Sequence, residues 1–101
     1  MNIQNWIDWF KSKLVGTLKD KFDIKYLSES NGDLGELEGV QFDSDSMGGY
    51  VYFWSSGYVG YQLMDYKTLD DIFEDTTCKI QDDSKQKEVL EALIEQMKSQ
   101  S

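Results

Sequence analysis

The stretch GGYVYFWSSGYVGYQLMDY, residues 48–66, holds seven of the chain's fourteen aromatic residues and has a turn, Ser55, Ser56 and Gly57, near its centre. Two strands joined by that turn admit two registers. A two-residue loop at Ser56 and Gly57 pairs Trp54 with Val59, Phe53 with Gly60 and Val51 with Gln62, which mixes apolar and polar partners on both faces. A three-residue loop pairs Phe53 with Val59, Val51 with Tyr61 and Trp54 with Tyr58, and suits a type I turn followed by Gly57 in the left-handed conformation. A slip of one residue sends every side chain to the other face, so the register with one coherent apolar face is expected. The three-residue loop meets that condition. It places Val51, Phe53, Val59, Tyr61 and Leu63 toward a core, and Tyr50, Tyr52, Trp54, Tyr58, Gly60, Gln62, Met64 and Tyr66 on the opposite face. That second face combines broad apolar area with hydrogen-bonding tips, the chemistry enriched at protein interfaces; cross-strand aromatic pairs also stabilise an exposed sheet.

Outward from the hairpin, the hydrophobic period changes. Ile3, Trp6, Ile7, Phe10, Leu14 and Leu18 step by three or four, predicting a first helix with Asn2 as its cap that fades near residues 19–21. Trp9 lies off that stripe, either flanking the core or exposed. Val89, Leu90, Leu93, Ile94 and Met97 form a second stripe, with Asp83 and Gln86 at capping-box spacing before it. Between the helices Phe22, Ile24 and Tyr26 alternate with charged residues, and SNGD at residues 30–33 signals a turn. LGELEGVQF carries Gly35 and Gly39 and is expected as a bulged strand, followed by a DSDSMGG loop. LDDIFEDTTCKI fits a fifth strand, with a short helix over TLDDIFED as the alternative. The expected class is α+β, one domain over residues 1–101: a four- or five-stranded antiparallel meander with an N-terminal and a C-terminal helix packed on one face.

At 101 residues, with 40% hydrophobic and 29% charged residues and no Pro, the chain suits a globular domain that buries roughly 60–70% of its unfolded surface. Its charge is uneven. Ten Lys, no Arg, no His and nineteen acids give a formal net charge of −9, and residues 28–83 hold thirteen of the acids against two Lys. Such a field repels nucleic acid and anionic membranes and attracts a basic partner. Cys78 is the only cysteine, which predicts a reducing, cytoplasmic setting; the N-terminus lacks signal-peptide features, and no apolar run reaches membrane-spanning length.

The chemistry of catalysis is poorly represented. Lack of His removes most acid–base and triad arrangements, and lack of Arg or a Gly-rich loop leading to Lys leaves phosphate binding unsupported. DSDSMG at residues 43–48 begins like a calcium loop, but Met47 stands where an oxygen ligand is required and Trp54 where the bidentate Glu belongs. Cys78 has no second thiol or imidazole for zinc. No enzyme, metal or cofactor is expected. Aromatics on a sheet also occur in nucleic-acid modules, but those surround them with Lys and Arg, whereas acids such as Asp43, Asp65 and Asp75 flank these. The sign suits a nucleic-acid mimic.

The tandem WIDWF, the aromatic hairpin, TLDDIFEDTTCKI and the closing KEVLEALIEQM together resemble small immunity proteins of bacterial polymorphic-toxin and contact-dependent growth inhibition systems, most closely the TriTu immunity proteins. The resemblance runs over nearly the whole chain. Ser55 and Ser56 stand where a more acidic turn is usual, so it carries over a role and no residue list. The role implied is a cytoplasmic antidote that binds the toxic C-terminal domain of its effector, commonly a basic nuclease. On that basis Asp70, Asp71, Glu74 and Asp75 are expected to face Lys or Arg of the toxin, with Tyr58, Tyr66 and Trp54 as anchors and Asp43 and Asp45 at the rim. The chain is expected to be monomeric when free. The alternatives are a small adaptor or ligand-binding module that uses the aromatic face, and a self-associating structural protein.

Overall fold

The computed structural model describes residues 3–15, 21–32 and 35–100. Helix α1 (Ile3–Val15) is followed by β1 (Asp23–Gly32), β2 (Gly35–Asp43), β3 (Met47–Trp54), β4 (Tyr58–Asp65), β5 (Asp70–Lys79) and helix α2 (Asp83–Gln100). The five strands form one antiparallel sheet in the order β1-β2-β3-β4-β5, the meander expected from the short turn signals. The ambiguous segment is therefore strand β5. The expected cap Asn2 and the stripe residue Leu18 lie outside the described residues.

Apolar periodicity decides which face is covered. Trp6, Ile7, Phe10 and Leu14 of α1 and Leu90, Leu93, Ile94 and Met97 of α2 share one core with Val40, Phe42, Met47, Val51, Phe53, Val59 and Leu63 of the sheet. Phe53 is its centre: Trp6 stacks on it at 5.6 Å between ring centroids, and Phe10 meets it edge-on at 6.2 Å. A fully buried side chain of this kind contributes roughly 1.5–3 kcal/mol. Among the described residues no polar or charged residue is buried. Trp9 is half-buried beside Trp6, and Lys13 of α1 and Lys87 of α2 both lie over its ring, at 5.9 and 5.7 Å. Lys87 thereby ties the second helix to the first.

The hairpin adopts the three-residue loop. Phe53 pairs with Val59 and Val51 with Tyr61, and Gly57 takes a φ of 94°. Its N–H donates to the Trp54 carbonyl at 2.9 Å. The expected inner face holds: Val51, Phe53, Val59 and Leu63 are buried, and Tyr61 packs against the core.

Local details differ from the sequence expectations. The cap of α2 is Asp82 and not Asp83: its carboxylate accepts from the N–H groups of Ser84 and Lys85 at 2.9 and 3.2 Å, one residue earlier than the capping-box spacing suggests. Of the expected SNGD turn, residues 30–32 belong to β1, whose Gly32 pairs with Gly35, and Asp33 lies outside the described residues. β2 keeps regular register with β3 through Gly39, and the irregularity falls on β1 between Glu29 and Gly32. The DSDSMGG loop contracts to residues 44–46, where the Ser44 hydroxyl accepts from the Met47 N–H at 3.2 Å and lets β3 start at Met47.

β5 is bulged twice. Leu63 pairs with Phe73 while its neighbour Met64 pairs with Asp71, and Tyr61 pairs with Thr76, so Glu74 and Asp75 together oppose Gln62. This edge strand consequently changes face along its length.

Candidate functional site

The face of the sheet away from the helices carries the chain's second concentration of aromatic side chains. Alternation along β3 places Tyr50, Tyr52 and Trp54 there in a row. Tyr50 and Tyr52 stack at 4.4 Å, and Tyr52 meets Trp54 edge-on at 6.0 Å. Glycines opposite them give the rings somewhere to lie. The Tyr52 ring covers Gly39 of β2, and the Trp54 ring covers Gly60 of β4, where a methyl group would come within 2.9 Å. Tyr66, just beyond β4, brings its hydroxyl over Gly48 in the same way. Three large rings thus lie across the strands over residues without side chains, which flattens the face and fixes each ring's direction.

Polar tips lock this surface. Tyr50 donates to Asp75 on β5, Tyr66 donates to Asp43 at the end of β2, Gln41 donates to the Tyr52 hydroxyl at 2.7 Å, and Gln62 donates to Asp71 at 3.2 Å. The bonds cross every strand from β2 to β5. Burial, then the hydrogen bond to Asp75 and its negative charge, push the Tyr50 phenol well above its ordinary value. The hydrogen bond to Asp43 raises Tyr66 in the same direction, assisted by burial. Both phenols stay protonated and both carboxylates keep a donor.

Between Tyr50 and Tyr66 the surface is concave. A cavity of about 390 Å³ opens there, lined by Tyr50, Gln62, Met64 and Tyr66 with the backbone of Gly48 and Gly49 and edged by Asp23 and Asp43. Beside it, the N–H of Tyr66 donates to the Ser46 carbonyl at 2.9 Å, joining the β4–β5 turn to the β2–β3 turn. At the close of the β4–β5 turn, directly before β5, Leu69 is 74% exposed and takes a φ of 63°, a left-handed conformation unusual for a branched side chain. With Tyr66, 39% exposed, it makes this end of the sheet both acidic and apolar.

A family model described as Immunity protein TriTu matches residues 4–96. The chain belongs to the TriTu immunity protein family. The likeness read from WIDWF, the aromatic hairpin and the closing helix is therefore borne out. Neither the search of curated proteins nor that of solved structures returned a match. Membership in an immunity family implies a cognate toxin as partner, and such families are not typically enzymatic. Among the described residues no group of three or more His, Cys, Asp or Glu is arranged to hold a metal, and no helix is long and apolar enough to cross a membrane.

In this TriTu protein the residues singled out from sequence fall into two groups at opposite ends of β3 and β4. Trp54 and Tyr58 lie beside the turn at residues 55–57, both half-buried. Tyr66, Asp43, Asp45 and Asp70 lie at the other end, some seven residues or about 23 Å along the strand. Asp71 and Asp75 sit between, held by Gln62 and Tyr50, and Glu74 shares the second bulge with Asp75. All five carboxylates of the set with a strand position, Asp43, Asp70, Asp71, Glu74 and Asp75, are exposed, as is Asp45 in its turn. Tyr50, Tyr52, Gln41, Gln62 and Leu69 were absent from that set. Glycine at three interior strand positions was the signal for the rings, since a strand glycine marks a close approach.

Proposed function

We propose that this protein neutralises the toxic C-terminal domain of a contact-dependent inhibition or related polymorphic toxin, a basic nuclease, by covering its substrate cleft with the outer face of the sheet. The observation that carries the reading is the joining of Tyr50, Tyr52 and Tyr66 to Asp75, Gln41 and Asp43 on one preformed face in a chain of net charge −9. Fixed aromatic rings lose little freedom on binding, and the surrounding carboxylates stand where phosphates of a substrate would lie. The field of the whole chain accelerates encounter with a basic partner, and close charge pairs add several kcal/mol once formed.

On this reading the protein acts in the cytoplasm as a single free domain that pairs one-to-one with the toxin. Asp70, Asp71, Glu74 and Asp75 meet Lys or Arg, Trp54, Tyr58 and Tyr66 anchor, and Asp43 and Asp45 close the rim. The test is co-expression with the toxic C-terminal domain of its cognate effector, followed by calorimetry on the purified pair. Growth is restored, affinity falls with rising salt, and Tyr58→Ala weakens the complex by at least roughly 2 kcal/mol with the fold intact. Absence of binding by the unaltered chain would return it to the adaptor class.

A further inference from the structure

The cavity between Tyr50 and Tyr66 has a hydrogen-bonding polarity that selects its occupant. Each phenol in its wall has one hydrogen, and both are already committed: Tyr66 to Asp43 and Tyr50 to Asp75. The amide groups of Gln41 and Gln62 each direct a hydrogen to a protein acceptor as well, the Tyr52 hydroxyl and Asp71. Against one remaining amide hydrogen on each Gln, the lining offers a larger set of acceptors: the carboxylates of Asp23 and Asp43, two amide oxygens and the remaining lone pairs of two phenols. Lys25 is the cation of the lining, against those two carboxylates. A ligand that only donates is therefore matched, and one that mainly accepts is not.

Shape narrows the choice further. The aromatic residues Tyr50 and Tyr66 both line the cavity beside Asp23 and Asp43, so a flat group can lie along a ring and reach the carboxylates with its edge. A guanidinium has five N–H donors and no acceptor, is planar, stacks on aromatic faces and pairs with carboxylates in a two-pronged fork. An ammonium is compact and strongly hydrated and uses neither the flat walls nor the paired oxygens.

We propose that the cavity bounded by Gly48, Gly49, Tyr50, Tyr66, Asp23 and Asp43 receives a single arginine side chain of the partner polypeptide. The source of the arginine rests on the toxin-binding reading, whereas the preference for guanidinium rests on the cavity alone. The occupant enters from the acidic end of the sheet, with Leu69 and Tyr66 beside its backbone.

The test uses the full chain labelled with ¹⁵N and titrated with N-acetyl-arginine amide, N-acetyl-lysine amide and the neutral isostere N-acetyl-citrulline amide. Arginine produces saturable shifts of the Gly48, Gly49 and Tyr50 amide signals with a dissociation constant of the order of millimolar, and the other two bind about tenfold more weakly. Gly48→Ala, whose methyl would press on the Tyr66 hydroxyl and Asp43, and separately Asp43→Asn, abolish the response while the signals of both helices and of the turn at residues 55–57 stay in place. Equal responses to the three probes, no saturable response, or a response that survives both substitutions would overturn the proposal. With the toxin domain in hand, Asp43→Asn lowers its affinity about tenfold or more. Unchanged toxin affinity would refute the cavity's use while leaving toxin binding itself intact. An unaltered chain that takes the arginine probe but ignores the toxin domain would instead overturn the toxin reading.

Discussion

Tyr66 reaches back over Gly48 to donate its phenolic hydrogen to Asp43, closing a bond between residues that stand on opposite sides of β3 and β4 in the chain. The bond joins the end of β2 to the start of the β4–β5 turn, so both turns at the acidic end of the sheet are held together by it and by the Tyr66 N–H to Ser46. Tyr66→Phe and Asp43→Asn, measured singly and together by urea unfolding, are expected to show a coupling of about 0.5–1.5 kcal/mol. Strict additivity would mean the two groups do not interact in solution.

Alkaline pH tests the phenols. Both Tyr50 and Tyr66 have folded-state values above the ordinary one near 10, so the unfolded chain releases these protons first. Their contribution is complete below pH 10 and declines as pH rises from there through the folded values. Denaturant midpoints are expected to fall above about pH 10, and Tyr50→Phe is expected to make that fall shallower. An identical alkaline slope in the variant would remove Tyr50 from the account.

Gly49 stands between Phe42 of β2 and Leu63 of β4, and a methyl group there would collide with the backbone carbonyl of Gln62 on β4. Backbone cannot step aside as a side-chain tip can. Gly49→Ala is expected to cost about 1–3 kcal/mol, read as a lowered urea midpoint at unchanged slope.

Leu69 predicts the opposite sign. Its left-handed backbone costs an L-residue roughly 1–2 kcal/mol, which glycine avoids, and the greater freedom that glycine gives the unfolded chain offsets only about 0.4–1 kcal/mol of that gain. Leu69→Gly is therefore expected to stabilise the free protein by about 0.5–1 kcal/mol while loosening the toxin complex. A variant that is less stable would show that the exposed side chain supports the turn.

The α2 cap offers a simpler measurement. Asp82→Ala removes the acceptor for the N–H groups of Ser84 and Lys85 and is expected to cost about 1 kcal/mol, or a Tm lower by about 4–8 °C.

How much of this was legible in the sequence depends on the range over which each feature is decided. The hairpin register was readable because SSG and the face pattern of Val51, Phe53, Val59 and Tyr61 are local and agree. Both helical stripes were readable for the same reason. The partners of the aromatic tips were not, since Tyr50 and Asp75 lie 25 positions apart and Asp43 and Tyr66 lie 23 apart. β5 shows why spacing alone fails there. Strict alternation from Asp71 would put Phe73 and Asp75 on the same face as Asp71, yet Phe73 pairs with the buried Leu63 while Asp75 meets Tyr50 on the outer side. Two bulges reverse the parity twice, and acidic sequence at an edge gives no count of them. The cap moved by one residue because Asp82 and Asp83 are equivalent as letters, and only the approach of the chain decides which carboxylate faces the helix.

The same two irregularities bear on what the open β5 edge of the sheet can pair with. An open sheet ends in a row of unused backbone donors and acceptors, and an unbroken row is a template on which further strands polymerise. On β5 the regular repeat runs only over residues 76–79 before Glu74 and Asp75 interrupt it, and both carry negative charge. A second strand finds four residues to pair with and then a misaligned, repelling step. The β5 edge is thereby a poor template for a further strand, and a neighbouring copy of this immunity protein finds little there to extend.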